Sequence, residues 1–176
     1  MAGDLETTWW QWLREEADHW WMPLGGAALL LAAGHIYFEY EKWTHARAAR
    51  RAAEEAAALA ANPRAFTPAE LLIYNGSDVG RPLLLALKGV VLDVRTGADY
   101  YGPGGPYQVM AGRDASKAFA MMSLKEEDAH ADLTGVDDEH LKILDDWYDK
   151  LSQKYPTVGS VSTVGSVAVA NAPAGT

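Results

Sequence analysis

Tyr100-Tyr101-Gly102-Pro103-Gly104-Gly105-Pro106-Tyr107, followed closely by Ala111-Gly112-Arg113-Asp114-Ala115-Ser116, sets tyrosines on a loop of glycine and proline just before a helix start. The glycines permit backbone conformations and close approaches that side chains forbid, and Pro103 and Pro106 remove freedom the loop would otherwise lose on binding a flat ligand. Tyr101 and Tyr107 are therefore candidates for a ligating group and its support. The residues also allow the plainer alternative, in which both rings pack as core aromatics with their hydroxyls satisfied locally.

On the N-terminal side of this loop, Thr67-Pro68-Ala69-Glu70 combines a capping residue, proline at the first helical position and a glutamate. These predict a short helix running to about Tyr74 before Asn75-Gly76. Leu83-Leu84-Leu85-Ala86-Leu87 and Val90-Val91-Leu92-Asp93-Val94 flank Lys88-Gly89, the pattern of a β-hairpin with a two-residue turn. On the C-terminal side, Asp114 is expected to cap a helix through Phe119, and Ser123 with Glu126 to form a second capping box. Asp137 to Lys154 reads as a longer amphipathic helix with Leu141, Leu144, Trp147, Tyr148 and Leu151 on one face, closed by Pro156. The expected class is α+β, a small sheet with several short helices.

The order of these motifs resembles the membrane-associated progesterone receptor family, a branch of the cytochrome b5-like fold. The likeness is carried by Phe66-Thr67-Pro68-Ala69-Glu70-Leu71, Lys88-Gly89-Val90-Val91-Leu92-Asp93-Val94, the Tyr101 to Tyr107 loop, Ala111 to Ser116, and Lys154-Tyr155-Pro156. It covers about Arg64 to Val158. The resemblance implies a haem b cleft in which Tyr107 is the axial iron ligand and Tyr101 supports it by hydrogen bonding. Lys154 and Tyr155 correspond to residues at the haem edge, where a cation and a phenol suit propionates. Asp114 falls in the family's Arg-Asp motif, and its expected role is chiefly the helix cap. The family also implies an adaptor or haem chaperone serving membrane proteins such as cytochrome P450 and sterol metabolism, with a steroid as an associated ligand.

A phenolate is a hard anionic ligand that favours ferric over ferrous iron, so such a site has a low potential and holds haem less firmly once reduced. It is poorly suited to rapid electron transfer. A bis-histidine carrier is not expected, because His130 and His140 are the only histidines after the stalk and lie on polar, acidic stretches. Met110 and the pair Met121-Met122 either line a pocket or fill gaps in the core.

The chain has 176 residues, 49% of them hydrophobic, enough for one domain with a real core and extra segments. A net charge of −9 with no clustered basic face argues against nucleic acid as a partner. With no cysteine, disulfides, thiolate haem ligation and iron-sulfur clusters are excluded. No nucleophile–base set or metal-ligand spacing marks an independent enzyme.

Five parts are expected: a Trp-rich acidic segment at 1–19, a transmembrane helix at 20–38, a helical stalk at 39–63, the b5-like domain at 64–158 and an uncharged tail at 159–176. Trp20 to Phe38 contains no Asp, Glu, Lys or Arg, and as a helix it would span about 28 Å against a hydrocarbon core of about 30 Å. Trp20 and Trp21 at one end, and Tyr37, Tyr40 and Trp43 at the other, match interfacial aromatic belts. Gly25, Gly26 and Gly34 would pack against another membrane helix. Lys42, Arg47, Arg50 and Arg51 follow the run and the preceding side is acidic, which places the C-terminal domain in the cytosol or its equivalent. The endoplasmic reticulum is the expected membrane, with the mitochondrial inner membrane as alternative. Trp9, Trp10 and Trp12 would lie in the bilayer interface or against a partner. The tail, which repeats Thr157 to Val161 as Thr163 to Val167, reads as flexible coil.

Two functions are compatible with these readings. One is a membrane-anchored, tyrosine-ligated haem protein acting as chaperone or adaptor. The other is a structural accessory subunit of a large membrane complex, respiratory for example, that keeps the b5-like domain without haem.

Overall fold

The computed structural model describes residues 21–162, with side chains from Gly25 onward. The readings for the Trp-rich segment and for residues 163–176 lie outside them. The chain divides into two compact units, residues 1–46 and 47–176, with the boundary inside one helix.

That helix, α1 (Trp21–Ala61), is continuous through the run of Ala, Arg and Glu and stops before Asn62-Pro63, as the helix-forming composition and the proline require. In the first unit its apolar side chains are open, with Leu29, Leu30, Leu31 and Ile36 at 68–76% exposure. Among the described residues, however, no helix is long and apolar enough to cross a membrane. The expected spanning helix at 20–38 is thus not shown. Gly25, Gly26, Gly34 and His35 dilute the apolar run, and Glu39 ends it.

The second unit is built on a four-stranded mixed sheet in the order β1-β4-β3-β2 (β1 Arg64–Phe66, β2 Leu84–Leu87, β3 Val90–Asp93, β4 Thr157–Val161). β1 runs parallel to β4, while β4 with β3 and β3 with β2 are antiparallel. The hairpin is in the expected place, with Leu84 opposite Asp93 and Leu87 opposite Val90. Lys88 (φ 51) and Gly89 (φ 75) both have positive φ, as a type I′ turn requires. β4 corrects the tail reading: the first copy of the repeat, Thr157 to Val161, is an inner strand and not coil. Gly159 makes that pairing feasible, since a Cβ there would lie 2.0 Å from the Arg64 carbonyl oxygen and 2.8 Å from the Phe66 ring.

The two-residue period of the strands divides the core between the two faces of the sheet. Leu85, Leu87 and Leu92 enter a cluster with Tyr101, Met110, Phe119, Leu144, Leu151 and Tyr155. Leu84, Ala86 and Val91 enter the other, with Phe66, Leu71, Tyr74, Val158 and Leu59 of α1. Helix α2 (Pro68–Leu72) covers part of this second face and carries the predicted capping box. Glu70 N donates to Thr67 Oγ1 at 3.2 Å and Thr67 N donates to Glu70 Oε2 at 2.8 Å.

The first face is covered by α3 (Ala98–Tyr101), α4 (Ser116–Ala120) and α5 (Asp138–Lys154). α5 matches its sequence reading, with Asp137 accepting the His140 N–H at 2.9 Å and Leu144 and Leu151 buried. Two capping expectations are corrected. The residue before α4 is Ala115, with no side-chain cap, and Asp114 instead accepts from Gly89 N (2.9 Å) and Ser116 N (3.1 Å), clasping the hairpin turn to the start of α4. Ser123 and Glu126 form no box. Ser123 Oγ donates to Asp128 Oδ2 at 2.6 Å, and Glu126 turns to Arg113 at 2.6 Å.

Candidate functional site

The tyrosines are brought together by the backbone of their loop. Tyr107 N donates to the Tyr100 carbonyl at 2.8 Å, Gly105 N to Gly102 O at 2.9 Å, and Gly104 N to the Gln108 side chain at 2.8 Å. This fold-back needs the glycine at 105, where a Cβ would lie 2.5 Å from the Tyr100 carbonyl oxygen. Upstream, Arg95 grips the buried Asp93 carboxylate through Nε and Nη2 at 2.8–3.0 Å, fixing the turn that leads from β3 into α3. Tyr101 therefore arrives from a rigid element and Tyr107 from a constrained loop.

Their rings lie 5.8 Å apart at 38°, and Tyr107 also stacks on Tyr100 at 6.4 Å and 25°. Tyr101 is 5% exposed and Tyr107 36%. Burial pushes the Tyr101 phenol far above the usual tyrosine range, and the nearby Tyr155 and Tyr107 add to the effect. Tyr101 is accordingly a neutral O–H group at any physiological pH.

Both tyrosines line a cleft of about 250 Å³ whose remaining wall is apolar: Met110, Ala118 and Phe119 at its base, Trp147 of α5 at the side, Met122 and Leu124 at the mouth. Phe119 and Trp147 contact each other at 5.6 Å and 60°. Met110 and Met122 thus belong to the cleft, while Met121 is not among its lining residues. Phe119 and Trp147 also line the cleft, and nothing in the sequence marks them as site residues. Trp147 sits on the apolar face of α5 that the sequence marks as core, and no local signal separates the two roles.

The other two candidates, Tyr155 and Lys154, are not among the cleft's lining residues. Tyr155 is buried, edge-on to Tyr101 at 6.3 Å and 81°. Lys154 is exposed, its ammonium 4.9 Å from the Tyr155 ring centre and 6.0 Å from that of Tyr100. His130 and His140 are both outside the cleft and locally engaged. His130 Nδ1 accepts the Asp132 N–H at 3.1 Å, and His140 Nδ1 pairs with Asp137 at 2.7 Å.

Among the described residues no group of three His, Asp or Glu is placed to hold a metal ion. The oxygen-bearing side chains that line the cleft are phenols, one buried and neutral, the other partly exposed. That set fits a hard, oxygen-ligated iron, and the aromatic and aliphatic wall fits a flat macrocycle. The volume lies below the roughly 300–1,000 Å³ usual for enclosed small-molecule sites, so a haem-sized occupant would leave one edge in solvent beside the exposed Met122 and Leu124.

Residues 67–162 match the family model described as "Cytochrome b5-like Heme/Steroid binding domain". Among curated proteins, the "Probable steroid-binding protein 3" of Arabidopsis thaliana is 46% identical over 96 residues, 54% of this chain and 96% of that protein. The "Membrane steroid-binding protein 2" of Oryza sativa subsp. japonica is 47% identical over 56% of this chain and 37% of its own length. The "Cytochrome P450 regulator dap1" of Schizosaccharomyces pombe is 43% identical over 54% of this chain and 61% of its own. The chain thus spans nearly all of the first relative but less than two thirds of the other two. A solution structure of a putative steroid-binding protein from Arabidopsis superimposes with a TM-score of 0.54 at 44% identity, covering 58% of this chain and all of that one. A second Arabidopsis structure, described as having a cytochrome b5 like fold, gives 0.53 at 44% identity over 56% of this chain and 91% of that one.

Proposed function

Because this chain belongs to the cytochrome b5-like haem/steroid-binding domain family, with relatives of the membrane-associated progesterone receptor type, we propose that it is a membrane-associated binding protein, not an enzyme, whose tyrosine cleft holds haem b. The observation that carries this reading is the pairing of an accessible Tyr107 with a buried, neutral Tyr101 on an apolar cleft. Tyr107 would supply the iron ligand. Tyr101, kept protonated by its surroundings, would donate to the Tyr107 oxygen and favour the phenolate, and Tyr155 would hold Tyr101 in place from behind. Lys154 would meet a propionate at the rim. Bound in this way, haem supplies a ferric centre of low potential, which suits storage, delivery or regulation more than electron transfer.

The name of the fission-yeast relative supports a partner among cytochrome P450 enzymes, and the names of the plant relatives support a steroid ligand and a membrane setting. Attachment would run through residues 20–38 as a single pass, paired with another membrane helix through Gly25, Gly26 and Gly34 because the run alone is weakly apolar. The accessory-subunit alternative draws no support from these relatives.

The test is the absorption spectrum of the full chain loaded with haem, for wild type and Tyr107→Phe. A tyrosinate-type ferric spectrum lost in the variant is expected. Failure to take up haem, or an unchanged spectrum in Tyr107→Phe, overturns the reading.

A further inference from the structure

We propose that Met122 is a modification site: oxidation of its thioether to the sulfoxide by a hydroperoxide weakens the hold of the tyrosine cleft on its apolar occupant. This rests on the reading of the cleft as a binding site and adds the regulation of that site.

The backbone carries the first part of the argument. Helix α4 closes in a Schellman motif, with Ser123 N donating to the Ala118 carbonyl at 2.8 Å and Met122 N to the Phe119 carbonyl at 3.3 Å. Met122 takes the left-handed position of that motif, with φ 47°, where glycine is the usual residue because a Cβ is crowded there. The closing turn by itself therefore favours glycine, and the fold bears strain in carrying a long side chain at this point. That residue lines the cleft.

Accessibility carries the second. Three methionines of the second unit have three different settings. Met110 lines the cleft but is 3% exposed, Met121 is 42% exposed but does not line it, and Met122 lines it and is 70% exposed. A thioether in water is open to peroxide, whereas one packed in a core is shielded. Of the three, Met122 alone joins exposure to a place in the cleft wall.

In the reaction a sulfur lone pair attacks one peroxide oxygen and the O–O bond breaks. The sulfur is oxidised by two electrons and keeps that oxygen, while the other oxygen leaves as water, or as an alcohol from an organic hydroperoxide. The product is a strong hydrogen-bond acceptor set beside Leu124, Ala118 and Phe119, which have no polar side-chain atom. Covering it with an apolar occupant strips away its water, a cost the thioether does not impose. Enzymes that reduce methionine sulfoxide would restore the site.

The experiment treats the haem-free full chain in detergent with hydrogen peroxide, removes the peroxide with catalase, and locates the added oxygen by tandem mass spectrometry. Affinity is then measured for haem and for N-phenyl-1-naphthylamine, a neutral fluorescent probe, before and after treatment. Met122 should oxidise about tenfold faster than Met110 or more, and the chain oxidised there should bind both molecules about fivefold more weakly. Met122→Gln should bind them more weakly than wild type without any peroxide. Treatment should change the affinity of Met122→Leu by no more than about twofold relative to its own untreated sample, whereas Met121→Leu should keep the sensitivity of wild type. Oxidation at Met122 with unchanged affinity overturns the proposal and leaves the haem reading standing, and so does sensitivity that survives in Met122→Leu. Wild type that binds the probe but no haem overturns the haem reading instead, and the probe then decides the switch.

Discussion

The rings of Tyr101 and Tyr107 lie 5.8 Å apart in the lining of one cleft, yet the first residue is 5% exposed and the second 36%. The same residue type therefore has two chemistries in one site. The buried phenol keeps its proton, while the more exposed one is the proposed iron ligand.

Alkaline stability should report the buried partner. Tyr101 has its pKa raised by burial, so it remains neutral in the folded protein at pH values where the unfolded chain ionises, above about pH 10. The folded state then binds more protons than the unfolded one, and stability is full below pH 10 and is lost as pH rises beyond it. Tyr74, raised by burial and by its bond to Glu55, adds to the same loss. Urea unfolding at pH 8 and at pH 11 should show a smaller drop for Tyr101→Phe than for wild type. An equal drop would place the titration elsewhere.

The clasp at Asp114 makes a separate prediction. Removing its carboxylate leaves the Gly89 N–H and the Ser116 N–H without their acceptor in a partly buried place. Asp114→Ala should lower stability by about 1–3 kcal/mol, and Asp114→Asn, which retains one carbonyl oxygen, by less. The midpoint of urea unfolding at constant slope reads the difference.

Gly159→Ala should be worse than either. The new Cβ would lie 2.0 Å from the Arg64 carbonyl oxygen, a clash with the backbone that no rotamer can relieve. A loss of about 3 kcal/mol or more is expected, with β1 detaching from β4. Gly104→Ala, which meets nothing within 4 Å and suffers only from its φ of 82°, should lose about 1–2 kcal/mol. Amide hydrogen exchange at Val161 and Ser162, whose N–H groups bond to Gly89 O and Phe66 O, would separate local opening from global loss.

Haem retention should depend on oxidation state. The proposed phenolate ligand, Tyr107, would favour ferric iron, so reduction with dithionite should speed transfer of haem to apomyoglobin by at least tenfold. Equal transfer rates in the two states would count against an anionic oxygen ligand.

The parts of the fold set by neighbouring residues were readable in advance. The Thr67–Glu70 capping box, the Lys88-Gly89 turn and the face of α5 bearing Leu144 and Leu151 each arise from contacts within a few positions. β1 and β4 were not, because strands of three and five residues carry too little periodicity. A glycine at 159 inside a Val/Gly/Ser repeat also reads as coil until the partner strand is present. The local sequence presents Asp114 as a helix cap because its partner Gly89 lies 25 positions away. At the site the same rule holds. The Gly/Pro loop announces that Tyr101 and Tyr107 converge, whereas the Phe119–Trp147 wall joins two helices through a contact that only tertiary packing defines.

The last turns of α1 determine where this protein can be cut. Ala52, Ala56 and Leu59 are buried, and Tyr74 Oη donates to Glu55 at 2.7 Å, so those turns form one wall of the core behind the sheet. A recombinant fragment starting at Arg64 would open the Phe66–Leu84–Val91 side to water and invite aggregation. One starting at Arg47 carries its own lid, and a protease that trims the helix from its N-terminal end should stall there.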